Sequence, residues 1–481
     1  MNVGFFTALS GLQAAQRQLD TASHNVSNAD TPGYSRQRVE QTESQPMGAN
    51  GSFIAKAGAG MVGTGVTVTQ IARIRDMFID RQVRAESAPL GEANIKSDTL
   101  KQVEDVFGEP TDHGLSAQMQ KFFDGWHDLA NDPANDALRV NLRQQSVNLA
   151  AGFQEINGNL VALRQDVNDR IGTTCADING MTRQIAQLNH EIKSAIAAGQ
   201  RPNDLLDKQD LLIEQLSSKV QINVAESPSN GGRSVYINGQ PLVSDEHQFD
   251  LQAVPTLLNG FFTVEYAPTG QGAQLAGGEL KGLLDSRDLI LSDTSATGYI
   301  KQINDLAAGL MASVNAIHMT GFGLRGITGE TFFDGTDASD MVVNANILND
   351  TQISRGLDVI AAAATDPGSV SSSAGVGDSS VAVAIAQLKN SKIMGGGTFS
   401  FDDYYKGVVT GLGVEAQEAT RKASTQETLV ASVKDRRDQV SGVSTDEEMA
   451  NVVRFQKAYA ASARILSTLS DMLDTLINLG K

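Results

Sequence analysis

Cysteine is nearly absent. Cys175 is the only one in 481 residues, so no disulfide can form within the chain. Trp126 is the only tryptophan, and aromatics together make up 5% of the sequence. No run of about 18 apolar residues occurs, so no membrane-spanning helix or membrane insertion is expected. The start, Met1 to Leu12, lacks a basic stretch and a small-residue cleavage site. The expectation is a cytoplasmic protein, or one exported without a cleaved signal. Positive charge is also short, with 38 basic residues against 56 acidic and a net charge of −18. That balance argues against nucleic acid and anionic membrane as partners.

Catalytic constellations are missing too. His24, His113, His127, His190, His247 and His318 are scattered without ligand spacing. His190-Glu191 begins like a zinc-protease helix, but Ser194 stands where the second histidine is needed. Gly58, Gly60 and Gly63, and again Gly321, Gly323 and Gly326, fit Gly-x-Gly-x-x-Gly, yet neither set lies between a strand and a helix. Asp334, Asp337 and Asp340 are spaced by three, unlike a calcium loop, and read as a solvated acidic turn. Cys175 reads as a small helix residue. No enzyme activity, cofactor or metal is expected.

What the chain does have is a pair of long amphipathic helices at its ends. Phe5, Ala8, Leu12, Ala15, Leu19, Ala22, Val26 and Ala29 recur at three- and four-residue steps. Val452, Phe455, Tyr459, Leu466, Leu469, Leu473 and Leu476 repeat the pattern at the other end, interrupted by Ser462. Residues 1–16 carry no charge, and the face opposite the first seam holds Thr7, Ser10, Gln13, Gln16 and Ser23. Solvated helix faces favour Lys and Glu, so this neutral face is expected to be covered by other helices. Burying the seam is worth at most ~1–2 kcal/mol per residue, against about 1–2 kcal/mol for ordering each residue. The ends are therefore expected to be weakly ordered in the monomer and to become ordered on assembly, the alternative being a helix pair folded onto the chain's own core.

Between the ends, Ala29-Asp30-Thr31-Pro32-Gly33 stops the first helix, and 34–75 read as extended. Residues 77–220 read as mostly helical, with helices from Pro89 to about Phe107, over 115–130, and from near Asp136 towards Ala198. Pro202-Asn203-Asp204 restarts a helix, with Asn203 or Asp204 as cap. Alternation at Val220, Ile222 and Val224, then Val235-Tyr236-Ile237 before Asn238-Gly239, predicts strands and a hairpin, and Phe261 to Tyr266 another strand. Helix returns over 279–318 and from Phe399 to the end, broken near Ser441 to Ser444, while Ser369 to Ser380 reads as a linker.

The predicted fold is mainly α with an inserted β-rich domain, nested so that the terminal helices pair in a coiled-coil-like inner domain. Three divisions follow: 1–85 with 445–481 as the inner assembly domain, 86–220 with 278–320 and 395–444 as a helical bundle, and 221–277 with 321–394 as an outer β-rich domain.

The stretch from Ser23 to Gln37, SHNVSNADTPGYSRQ, resembles the N-terminal signature of bacterial flagellar axial proteins, and its Tyr34-Ser35-Arg36-Gln37 ending that of the hook-associated protein 1 (FlgK) family. Ser441 to Asn451 and Phe455 to Arg464 resemble that family's C-terminal signature. Weaker similarity lies at Pro202 to Asp207, Gly277 to Leu284, and Val314-Asn315 with His318 and Gly321. The resemblance implies a structural protein of the hook–filament junction, secreted by the flagellar type III export apparatus. It implies a ring-forming homo-oligomer on the hook protein, followed by a third hook-associated protein (FlgL-type). It also implies a cytoplasmic export chaperone (FlgN-type), for which Leu466, Leu469, Leu473 and Leu476 are the expected anchors. The chain is short for the family, which implies a reduced outer domain. Other axial roles (rod, hook or second junction protein) and an adhesin using the outer domain are the alternatives.

Within that frame, both seams are expected to carry subunit packing. Asn25 and Asn28, one turn apart, are expected to bond either a neighbouring subunit or the segment after Pro32. Arg36 and Arg38 are expected to pair with acidic groups of an adjacent subunit.

Overall fold

The structure is a computed structural model describing residues 2–44, 63–227, 231–257, 259–349, 353–366 and 377–479. Helix α1 (Asn2–Ser27) leads into a two-stranded antiparallel ribbon, β1 (Gln37–Glu43) and β2 (Val66–Arg73). Four helices follow: α2 (Met77–Phe107), α3 (Leu115–Asn131), α4 (Asp136–Ala197) and α5 (Asn203–Lys219). Strands β3 (Asn223–Glu226), β4 (Arg233–Ile237), β5 (Gln240–Ser244) and β6 (His247–Gln248) form one antiparallel sheet. Strands β7 (Leu251–Pro255), β8 (Phe262–Tyr266) and β9 (Gln271–Gly272) form a second.

Helices α6 (Glu279–Asp285) and α7 (Tyr299–His318) precede a small ribbon of β10 (Phe333–Asp334) and β11 (Val342–Val343). The short helices α8 (Ala345–Leu348), α9 (Ile353–Asp358), α10 (Ser380–Gln387) and α11 (Met394–Gly397) lead to α12 (Phe401–Ser441) and α13 (Thr445–Leu479). No helix among the described residues is long and apolar enough to cross a membrane. The fold is mainly helical with a β-rich insertion, as the periodicities predict.

The main core runs from Ile95 to Ala416, around an aromatic group of Phe122, Trp126, Phe332 and Phe333, and takes no residue from α1 or α13. The terminal helices pack on each other instead. A Cβ at Gly4 would lie 3.8 Å from Leu469 and one at Gly11 3.3 Å from Ser462, while Asn25 meets Glu448. Each step forward on α1 is matched by an equal step back on α13, the register of a straight antiparallel pair. Ser462, the break in the apolar pattern, sits opposite Gly11, where a small residue on each helix lets the two approach closely.

Several boundaries differ from expectation. Helix α2 runs through Pro89 without stopping. It starts at the Asp76 cap, whose carboxylate accepts from Phe78 N, and Ala88 just before the proline is fully buried. Tertiary packing thus overrides the cost of the missing amide. Asn203 does not cap α5. Its side chain instead donates to Gln37 Oε1 and Ile71 O, both at 3.0 Å. The Asn238-Gly239 hairpin forms as predicted, with φ of 44° and 86°. Of the two glycine motifs, Gly58 and Gly60 lie outside the described residues, as does most of the Ser369–Ser380 stretch. Gly321 and Gly323 are packing positions: a Cβ at Gly323 would run into the carbonyl of Asp358.

The stretches 221–277 and 321–394 both pack against α4. Strands β5 to β8 contact α4, where Asn179 bonds both amide and carbonyl of Leu251. The later stretch packs α10 on α3 and α7, and α9 and β11 on α4. Buried Arg139 near the α4 start holds it by donating to Leu357 O and Ile360 O at 2.9 and 2.7 Å.

Candidate assembly interface

The turn after α1 is built for a close approach. Gly33 has φ of 80°, and a Cβ there would lie 3.0 Å from Leu211 of α5. Only glycine lets the chain turn against that helix. The strap that follows, Tyr34 to Gln37, is held from both sides. Asn25, 1% exposed, donates to Gln37 O at 2.9 Å and to Glu448 Oε2 at 3.1 Å. Its Oδ1 accepts from Gln37 N at 3.0 Å and from the Tyr34 hydroxyl at 2.8 Å. Arg36 N donates to Ser441 O, and its guanidinium pairs with Glu448 at 2.7 Å and Glu447 at 3.1 Å. Across the strap, Ser35 donates twice to Asp207, and Gln37 donates to Asp204 at 3.0 Å. Burial first, then Asp204, Asp207 and Glu448, push the Tyr34 hydroxyl well above its ordinary range. It therefore stays a donor to Asn25.

Below the strap lies a buried cluster of charges. Arg73 and Arg75, from the end of β2, both reach Asp210, at 2.9 and 2.6 Å. Arg73 also bonds Asp207 at 2.7 Å, and Arg75 chelates Asp80 of α2. Arg233 of β4 joins through Asp210 and Glu226. Desolvation, with repulsion from Arg73, Arg75 and Arg84, lowers the Arg233 pKa to about 9. Single buried charges are costly, and each is tolerated because a partner faces it. The cluster ties the ribbon to α2, α5 and the first sheet, fixing the root of the terminal pair.

The expected packing residues divide by position. Ala8, Ala15 and Ala22 are buried within the chain, while Leu12, Leu19, Val26, Asn28 and Ala29 are half-buried. Phe5 is exposed. On α13, Val452, Phe455, Leu466 and Leu469 are half-buried, and Tyr459 and Leu473 exposed. The side chain of Leu476 lies outside the described residues. Met449, Val453, Ile465, Met472 and Ile477 add further exposed apolar groups to α13, away from the seam.

Two expectations are corrected here. The neutral face of α1 is covered in part by the chain itself: Thr7 donates to Gly63 O, and Ser10 Oγ accepts from Val66 N at 3.3 Å. Gln13, Gln16 and Ser23 remain exposed. Arg36 is satisfied within its own chain, and of the two alternatives for Asn25 the strap after Pro32 is the partner. Asn28 makes only local bonds, to His24 O and from Thr31.

Sequence reasoning passed over Glu448, Asp207, Asp210, Arg73, Arg75 and Arg233. Glu448 sits inside the C-terminal signature, and Asp207 closes the weaker match at Pro202 to Asp207 with Asp210 just beyond it, a usable signal. Arg233 has none, since only the fold brings β4 to α5. The other polar candidates are structural. Cys175 is buried, and burial pushes its thiol up to about 12. Asp340 accepts from the amides of Thr336 and Asp337, closing the acidic turn on itself.

A family model described as "Flagellar hook-associated protein FlgK helical domain" matches residues 100–333. Models described as "Flagellar basal body rod FlgEFG protein C-terminal" and "Flagella basal body rod protein" match 437–479 and 5–34. Flagellar hook-associated protein 1 of Bacillus subtilis (strain 168) is 31% identical over 510 residues, covering 99% of this chain and 98% of that protein. Its counterpart in Escherichia coli (strain K12) is 27% identical, covering 98% of each. The solved flagellar hook junction protein FlgK from Burkholderia pseudomallei superposes with a TM-score of 0.63 at 19% identity. That match covers 75% of this chain and 100% of the other, a likeness of fold. With identity of this level along almost its whole length, the chain belongs to the flagellar hook-associated protein 1 family.

Proposed function

We propose that this protein is the structural junction between flagellar hook and filament. Copies add to the distal end of the hook as a ring, the terminal helix pairs of neighbours pack side by side, and a third hook-associated protein (FlgL-type) binds next so that the filament can grow. The observation carrying this reading is the clasped pair α1–α13. It is rooted by buried charges, outside the main core, and still exposes Phe5, Tyr459, Ile465 and Leu473. Apolar groups left on a fixed helix pair mark a surface to be covered. The inner domain in this reading is 1–85 with 445–481, carried on the helical body.

The route to that place is export through the flagellar type III apparatus to the outside of the cell. A FlgN-type chaperone covers α13 beforehand, through Leu466, Leu469, Leu473 and Leu476. The direct test is electron microscopy of a strain lacking the gene, with flagellin assayed in the medium. Hooks without filaments and flagellin monomers in the medium are expected. Missing hooks would move the protein to rod or hook, and normal filaments would overturn the proposal.

A further inference from the structure

A recess lies beside the clasp, between α1, the strap and α13. It encloses about 310 Å³ and is lined by Gln18, Asn25, Arg36, Arg38, Glu448 and Arg454 among others. Three arginines and one glutamate line it, a local excess of two positive charges on a chain whose net charge is −18. Glu448 is already engaged by Arg36, Asn25 and Asn451. Arg38 and Arg454 are exposed and have no carboxylate partner among the described residues. Arg454 only stacks over Phe455 and donates to Asn451 Oδ1 at 2.9 Å. The recess has room for carboxylate side chains with a few waters.

The opposite end of the same helix pair has the complementary charge. Residues 1–16 and 465–479 contain only two charged side chains, Asp471 and Asp474, both exposed on the last turns of α13. The antiparallel register puts this tip beside the start of α1, about 35 Å along the helices from the clasp at 1.5 Å per residue. Within one chain the tip cannot reach the recess.

We propose that the recess at Arg38 and Arg454 receives the Asp471–Asp474 tip of α13 from a second copy of this chain. The contact is head-to-tail: different surfaces of the two copies meet, so repetition builds a ring or a helical array instead of a closed dimer. It specifies one lateral offset between neighbours, since like charges meet when the pairs sit level. The inference rests on the self-assembly proposed above and names the surfaces that set its geometry.

Complementary reversals test it in the full-length protein. One variant carries Arg38→Glu with Arg454→Glu, the other Asp471→Lys with Asp474→Lys. Self-association is followed by sedimentation velocity at low salt, and folding by helical circular dichroism. Each variant alone is expected to need at least about tenfold more protein to associate than the parent. Mixing the two should restore association, because a lysine tip then meets a glutamate recess. Association unchanged in both variants, or loss in both without recovery on mixing, overturns the head-to-tail contact. A parent chain that stays monomeric at every concentration counts instead against the self-assembly reading itself. Loss of circular dichroism in a variant is resolved by the single changes Arg38→Gln and Asp474→Asn, which should weaken association and leave helix content unchanged.

Discussion

Asn25 and Glu448 stand 423 residues apart in the chain and 3.1 Å apart in space. That bond closes the terminal helices on each other, and the strap threads between its two partners. Asn25→Ala removes four hydrogen bonds at once and strands Gln37 N in a buried site, while the Tyr34 hydroxyl keeps His24 Nδ1 at 2.9 Å. A cost of about 2–4 kcal/mol is expected, confined to the clasp. Hydrogen exchange at the Gln37 amide should rise by orders of magnitude while exchange around Trp126 stays unchanged. Equal acceleration in both places would show that clasp and core unfold as one.

Ala15 and Ala22 are 3% and 2% exposed within a single chain. Ala15→Glu or Ala22→Glu therefore places a carboxylate inside the α1–α13 pair itself, and not only between copies. The pair should open and filament assembly fail, while the central helices keep their fold. Limited proteolysis should trim both ends to a stable body. Filaments formed by either variant would contradict the packing described here.

Asp210 faces Arg73, Arg75 and Arg233 together. Asp210→Ala leaves buried Arg233 and half-buried Arg73 and Arg75 short of one counter-charge, at a cost of roughly 3–5 kcal/mol. Ribbon and first sheet should loosen from α5 together, read as coupled gains in exchange over β2 and β4. Urea denaturation would give the magnitude.

His318 sits among Trp126 and Phe332, with Nδ1–H donating to Glu330 O at 2.8 Å and Nε2 accepting from Ala361 N at 2.9 Å. Acceptance at Nε2 requires the neutral ring, with its proton on Nδ1. Burial, which outweighs the Glu330 carbonyl, lowers its pKa from 6.5 to about 4. As pH falls, the unfolded chain takes up this proton first. The stability it contributes is complete above about pH 6.5 and is lost towards pH 4, by roughly 3 kcal/mol in total. His318→Asn should flatten the stability profile between pH 6.5 and 5, followed by thermal melts at fixed ionic strength. A parallel slope in both proteins would assign the acid sensitivity elsewhere.

Deletion of 455–481 removes every leucine proposed for the chaperone. Binding of an export chaperone, measured by calorimetry with the purified partner, should disappear. Unchanged binding would place that contact on another part of the chain.

Much of this protein was determined by the sequence alone. The period of apolar residues located the long helices, because a helix can be buried only along a stripe, and Asn238-Gly239 located a hairpin through its left-handed backbone. Missing metal and nucleophile constellations argued for a structural role, and the two end signatures named the family. Tertiary structure alone decided what these pieces touch. Pro89 sits inside α2 because burial of Ala88 and its neighbours outweighs one lost amide bond. Arg36 turns inward because Glu448 is the partner the fold brings to it. Ser462, where the seam is interrupted, meets Gly11 across the pair. Each of these outcomes depends on a residue distant in the chain, so no local pattern could carry it.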